Sequence, residues 1–93
     1  MDNREAAALL REHLDGYRRR TYHDLVGLRD RRQVAELRGG SGRTYQIEVE
    51  IHWDGPPGGS VRVLGSIDDG GLRSYIPISQ DFILAPDGTF VGE

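Results

Sequence analysis

Apolar residues along this chain change their period once, at Gln33. Before it, Ala6, Leu10, Leu14 and Tyr17 fall at i, i+4, i+8 and i+11 with Leu9 beside them, one stripe of a helix. Asp2 and Glu5 have capping-box spacing and predict where that helix starts. Arg4, Arg11, Glu12, Asp15 and Arg18 take its solvent side. Gly16 costs about 1 kcal/mol relative to Ala in a helix interior, so an end or a bend is expected near it. Thr21 and Asp24 repeat the capping spacing, and Leu25 and Leu28 lie three apart. A second, short helix from about Tyr22 to Leu28 follows.

After Gln33 the period is two. The stretch QVAELRGGSGRTYQIEVEIHW predicts two strands around a Gly39-Gly40-Ser41-Gly42 connection. Its second strand alternates without a break: Tyr45, Ile47, Val49, Ile51 and Trp53 face one way, Gln46, Glu48, Glu50 and His52 the other. Pro56 and Pro57 cannot donate to a ladder and end it. SVRVLGSI predicts a third strand with Val61, Val63 and Ile67 on one face and Gly65 in the same row. LRSYIPIS predicts a fourth, with Ile76 and Ile78 inward and Pro77 marking an edge or a bulge. In DFILAPDGTFVGE, Pro86-Asp87-Gly88 has the chemistry of a three-residue hairpin turn. That turn pairs Ala85 with Thr89 and sets Leu84 against Phe90.

Helices followed by a meander predict an α+β layer: one or two N-terminal helices packed on one face of a four- to five-stranded, mostly antiparallel sheet. The order is similar in layout to cystatin-like and nuclear-transport-factor-like cones, and fold alone carries no function. The expected core is Leu10, Leu14, Tyr17, Leu25, Ile47, Val49, Ile51, Trp53, Val61, Val63, Ile76, Ile78, Phe82, Leu84 and Phe90. Ninety-three residues fit one small domain, helical over 1–30 and meander over 32–93, burying roughly 60–65% of its unfolded surface.

Composition then narrows the classes. Without cysteine there is neither a disulfide nor a thiolate metal site. Nothing resembles a signal peptide or an apolar membrane span, so a soluble, cytoplasmic protein is expected. Residues 1–45 carry ten Arg against seven acids, and residues 46–93 two Arg against eight acids, giving +3 and −6 and the net −3. All basic residues are Arg, the usage of a GC-rich, bacterial genome.

Candidate chemistry is sparse. RGGSGR has the glycines of a phosphate loop but joins two strands and lacks the Lys-Ser/Thr ending, so it reads as a hairpin turn. His13, His23 and His52 share no metal-ligand spacing, and no metal or cofactor is expected. Glu48 and Glu50 stand on one face at a spacing that acid/base work could use in a covered cleft, but on an open sheet they are only solvated. Arg18, Arg19, Arg20, Arg29, Arg31 and Arg32, interleaved with Tyr17 and Tyr22, are the ingredients of a nucleic-acid surface. Neighbouring acids and the negative total make that reading unfavourable.

The leading expectation is a non-enzymatic protein-interaction or homo-oligomerising module. It would work through the open sheet face at Glu48, Glu50, His52, Arg62 and Leu64, or through an edge strand. The alternative is a small-molecule or enzymatic pocket between helix and sheet, built on Tyr17, Trp53 and a buried carboxylate.

Overall fold

The computed structural model describes residues 2–70 and 78–93. Helix α1 covers Asn3–Arg18 and α2 covers Tyr22–Gly27; strands β1 (Gln33–Arg38), β2 (Thr44–Trp53), β3 (Val61–Asp68) and β4 (Ile78–Leu84) follow. The strands form one antiparallel sheet in the order β1-β2-β3-β4. The fold is α+β, with helices on one face of a meander.

Both helices begin where the capping spacing places them. Asp2 Oδ1 accepts from the Glu5 N–H at 3.1 Å, and Thr21 Oγ1 accepts from the Asp24 N–H at 3.1 Å. α1 does not end at Gly16 but continues to Arg18. Tyr17 explains the extension: it is buried against the sheet, and burying an aromatic ring outweighs the glycine penalty of about 1 kcal/mol. α2 stops before Asp30, whose φ of 63° is left-handed and whose N–H donates to Ile51 O at 2.9 Å.

The two predicted hairpins share one geometry. Gly39 N–H donates to Arg43 O at 2.8 Å, and Gly42 N–H, at φ 90°, donates to Gly39 O at 3.0 Å. Ala85 N–H donates likewise to Thr89 O at 2.8 Å, and Gly88 N–H, at φ 88°, to Ala85 O at 2.9 Å. In each, a turn closes on a glycine in the left-handed region that side chains rarely adopt. The second also forms the Leu84–Phe90 bridge that its spacing predicts.

The last strand reaches further than expected. β4 runs from Ile78 to Leu84 and shares Ile78 and Ser79 with the expected strand, whose other positions, 72–77, lie outside the described residues. DFIL thus belongs to the strand that pairs with β3, and the segment after the turn adds a bridge and not a fifth strand. Ile76 and Pro77 lie outside the described residues.

The core sits between α1 and the inner face. Tyr45, Ile47, Val49 and Ile51 of β2, Val61, Val63 and Ile67 of β3, and Phe82 and Leu84 of β4 meet Ala6, Leu10, Leu14, Tyr17 and Leu25. Trp53, Ile78 and Phe90 only flank this cluster, half-buried, while Ala6, Tyr45 and Ile67 join it. α1 crosses the sheet over Gly65, where a Cβ would come within 2.9 Å of methyls of both Leu10 and Leu14. The glycine in the inward row is there for close helix approach.

Candidate interaction surface

The five open-face residues of the sequence reading all lie opposite the helices. Their register sets Glu50 beside Leu64 and His52 beside Arg62. The charges nevertheless pair differently. Arg62 Nε donates to Asp54 Oδ1 at 3.0 Å and its Nη1 to Asp81 Oδ2 at 2.9 Å. His52 lies between Glu50, at 3.3 Å from Nε2, and Asp30, at 3.5 Å from Nδ1. Glu48 takes Arg32 at 3.5 Å. Each of these charges is met by a neighbour from its own chain. Exposed pairs of this kind contribute about 0–1 kcal/mol each and weaken with salt. Leu64 is 37% exposed and stands among polar groups.

Asp30, Asp54 and Asp81 complete this face. Asp54 was legible from the i, i+2 spacing that sets it on the side of His52, and Asp81 from the parity opposite to Phe82; Asp30 carried no signal, because its position depends on the tether to Ile51. The carboxylates Asp81, Asp87 and Glu93 do not share a partner: Asp81 takes Arg62, Asp87 takes Thr89 and Glu93 takes Arg18. Among the described residues no group of three or more His, Asp or Glu is placed to hold a metal ion.

The Arg-rich stretch is divided over three surfaces. Arg18 lies over the rings of Phe82 (4.7 Å) and Phe90 (4.9 Å) and reaches Glu93 Oε1 at 2.7 Å, beside β4. Arg20 stacks on Tyr17 on the β1 side of α1. Arg29 stacks on Trp53 and donates to Val26 O, and Arg32 lies with Glu48 on the open face. Arg19 and Arg31 are exposed. Both tyrosines of the stretch are engaged, Tyr17 in the core and Tyr22 through its hydroxyl on Gly59 O at 2.6 Å.

The glycine loop is occupied from within. Glu5, the third helix residue, turns its carboxylate away from its own N-cap. It accepts from Ser41 N–H at 3.0 Å, Ser41 Oγ at 2.6 Å and Tyr45 OH at 2.8 Å. A Cβ on Gly39 would collide with that carboxylate. These hydrogen bonds, Ser41 first and then Tyr45, hold the Glu5 pKa below its ordinary value. The loop therefore anchors α1 to the β1–β2 hairpin.

The two sheet edges are finished unequally. On β4 the tail folds back: Val91 N–H donates to Ile83 O at 2.9 Å, and Phe90 meets Phe82 edge-on at 5.8 Å. On β1, hydrogen-bonded pairs with β2 recur at every second residue from Gly39–Arg43. The N–H and C=O groups of Val34, Glu36 and Arg38 therefore point outward, and no strand pairs with them among the described residues. Val34 is 64% exposed, the most open large apolar side chain of the described structure. Between β1 and α1 lies an open cleft of about 510 Å³ lined by Leu9, His13, Tyr17, Arg20, Leu37 and Arg38. Partial burial lowers the His13 pKa and favours its neutral ring.

No helix among the described residues is long and apolar enough to cross a membrane. Comparison with known proteins adds no analogy: no protein family, curated protein or solved structure matches the chain.

Proposed function

We propose that this chain is a non-enzymatic protein-interaction module that works by pairing its β1 edge with another extended strand. The observation that carries the reading is the outward row of β1. An unpaired edge offers backbone donors and acceptors to any chain that lies along it, and proteins ordinarily blunt such edges. Here β4 is blunted by the tail while β1 keeps an exposed valine, Val34, near its start. The open face is a weaker candidate than the edge, because its charges are already met within the chain.

Glu36→Pro tests the reading. Proline at an outward position removes a donor that β2 does not use, so the fold should survive, as circular dichroism would report. Binding partners recovered by cross-linking, additional copies of the chain included, should be lost from the folded variant. The same set recovered from both proteins would refute edge pairing.

A ligand pocket is the second reading, and the α1–β1 cleft favours it. Tyr17 lines that cleft but Trp53 does not, and no carboxylate is buried among the described residues. A small ligand there would shift the NMR signals of Tyr17 and Leu37 and leave the Val34 and Glu36 amides exchanging freely.

A further inference from the structure

The outward row of β1, Val34, Glu36 and Arg38, is preceded at the same parity by Arg32, so that Val34 is flanked by a cation at Arg32 and an anion at Glu36. About Val34, these three residues are their own complement. Resting on the edge-pairing reading, we infer that the strand received by β1 is β1 of a second copy. The two run antiparallel about a two-fold axis at Val34 and join two four-stranded sheets into one.

Register decides between the possible axes. In an antiparallel pair, outward residues face outward residues, and directly opposed side chains share a face. An axis at Glu36 sets that carboxylate against its own copy. An axis at Ala35 sets Arg32 against the second copy's Arg38, twice. Like charges directly opposed are destabilising, so both fail. An axis at Leu37 pairs Glu36 with the second copy's Arg38, but it sets Val34 opposite the Gly39 hairpin and leaves that side chain exposed.

The axis at Val34 pairs the two valines and sets Arg32 against the second copy's Glu36 on both sides. The closed, isologous contact uses the same patch on both copies, so it stops at two. A strand pair of this length buries less than the roughly 1,600 Å² of a standard interface, so the dimer forms only at high protein concentration.

Light scattering across a concentration series is the primary test. The mass should rise from 10.4 kDa towards twice that value, and the rise should weaken with salt. Glu36→Arg should weaken dimerisation at least about tenfold, and adding Arg32→Glu should restore it, because the double variant re-creates the pairs with signs exchanged. Both positions are exposed, so the variants should remain folded. Rescue by Arg38→Glu in place of Arg32→Glu would overturn the Val34 axis. A wild-type mass fixed at the monomer would overturn the second copy as partner. In that case, cross-linked partners lost on Glu36→Pro would leave edge pairing standing, and identical partners would remove it too.

Discussion

The two edges of this sheet meet the same physical problem and answer it differently. β4 would expose a row of unpaired backbone groups along an apolar strand, and the chain covers part of that row with its own tail. Phe90 packs on Phe82, Arg18 lies over both rings, and Glu93 holds Arg18 from the far side. β1 receives none of this. Its hairpin end is fixed to α1 through Glu5, but along its outer side no strand pairs among the described residues. Aromatic packing thus finishes one edge, whereas a carboxylate fixes only one end of the other. The difference singles out β1 as the edge at which we propose a partner strand pairs.

The comparison breaks most severely at Phe82. This ring is buried at 3%, and Phe82→Ala should cost about 3–5 kcal/mol, because a cavity replaces it under both Arg18 and Phe90. For a chain of this size each kcal/mol lowers the melting temperature by about 4–8 °C. Val34→Ala near the start of β1 should change stability by no more than about 0.5 kcal/mol at monomer concentrations. Similar losses from the two truncations in calorimetry would show that the edges are not distinct.

Removing Thr89 to Glu93 comes next, at about 2–3 kcal/mol, chiefly from the half-buried Phe90 surface. It should also uncover β4. Hydrogen exchange at the Ala85 amide, which donates to Thr89 O, should accelerate, and the truncated protein should self-associate more strongly than the full chain. A truncated chain as monomeric as the original would deny that the tail guards the edge.

Gly65→Ala probes the layer both edges share. The added methyl meets Leu10 and Leu14 where α1 crosses, at an expected cost of about 1–3 kcal/mol in denaturant unfolding. A neutral result would mean that the leucine ends yield freely.

Much of this was legible in the residues, for physical reasons. Alternation in β2 is unambiguous because one face is fully buried, and a slip of one residue would expose Ile47 and Val49. The PDG and GGSG turns and both caps were legible because their causes are local. The pairings that complete the surface were not. Arg18 meets Glu93 across 75 residues and Arg62 meets Asp81 across 19, and nothing in a neighbourhood of either arginine announces its partner. Glu5 was misleading: its capping spacing is real, yet its carboxylate goes to Ser41 and Tyr45, 36 and 40 residues away. The bareness of β1 was equally hidden, since it depends on where α1 crosses.

Acid should loosen the Glu5 anchor in a definite direction. Its folded pKa is depressed, so the stabilisation is fully present above the ordinary value of 4.5 and is lost as pH falls through the folded value. Glu93, held down by Arg18, and Asp87, held down by Thr89, act with the same sign. Melting temperature should therefore fall below about pH 4.5. Glu5→Gln should lower it at neutral pH, flatten the acid slope and converge on the wild type in acid. Parallel curves would mean that Glu5 is not a source of the slope.

The smallest expected effect separates the edge from the open face. Leu64 stands at the centre of that face, beside Glu50 on β2 and Asp81 on β4. Leu64→Thr removes apolar surface there while introducing a β-branched side chain suited to a strand. If partners pair with β1, the substitution should change neither stability by more than about 0.5 kcal/mol nor the concentration at which association begins. If partners pack on the face, association should weaken while the Val34 and Glu36 amides exchange as before. The two readings differ in one titration, because Leu64 lies on β3, two strands from the free edge, and can take no part in pairing along β1.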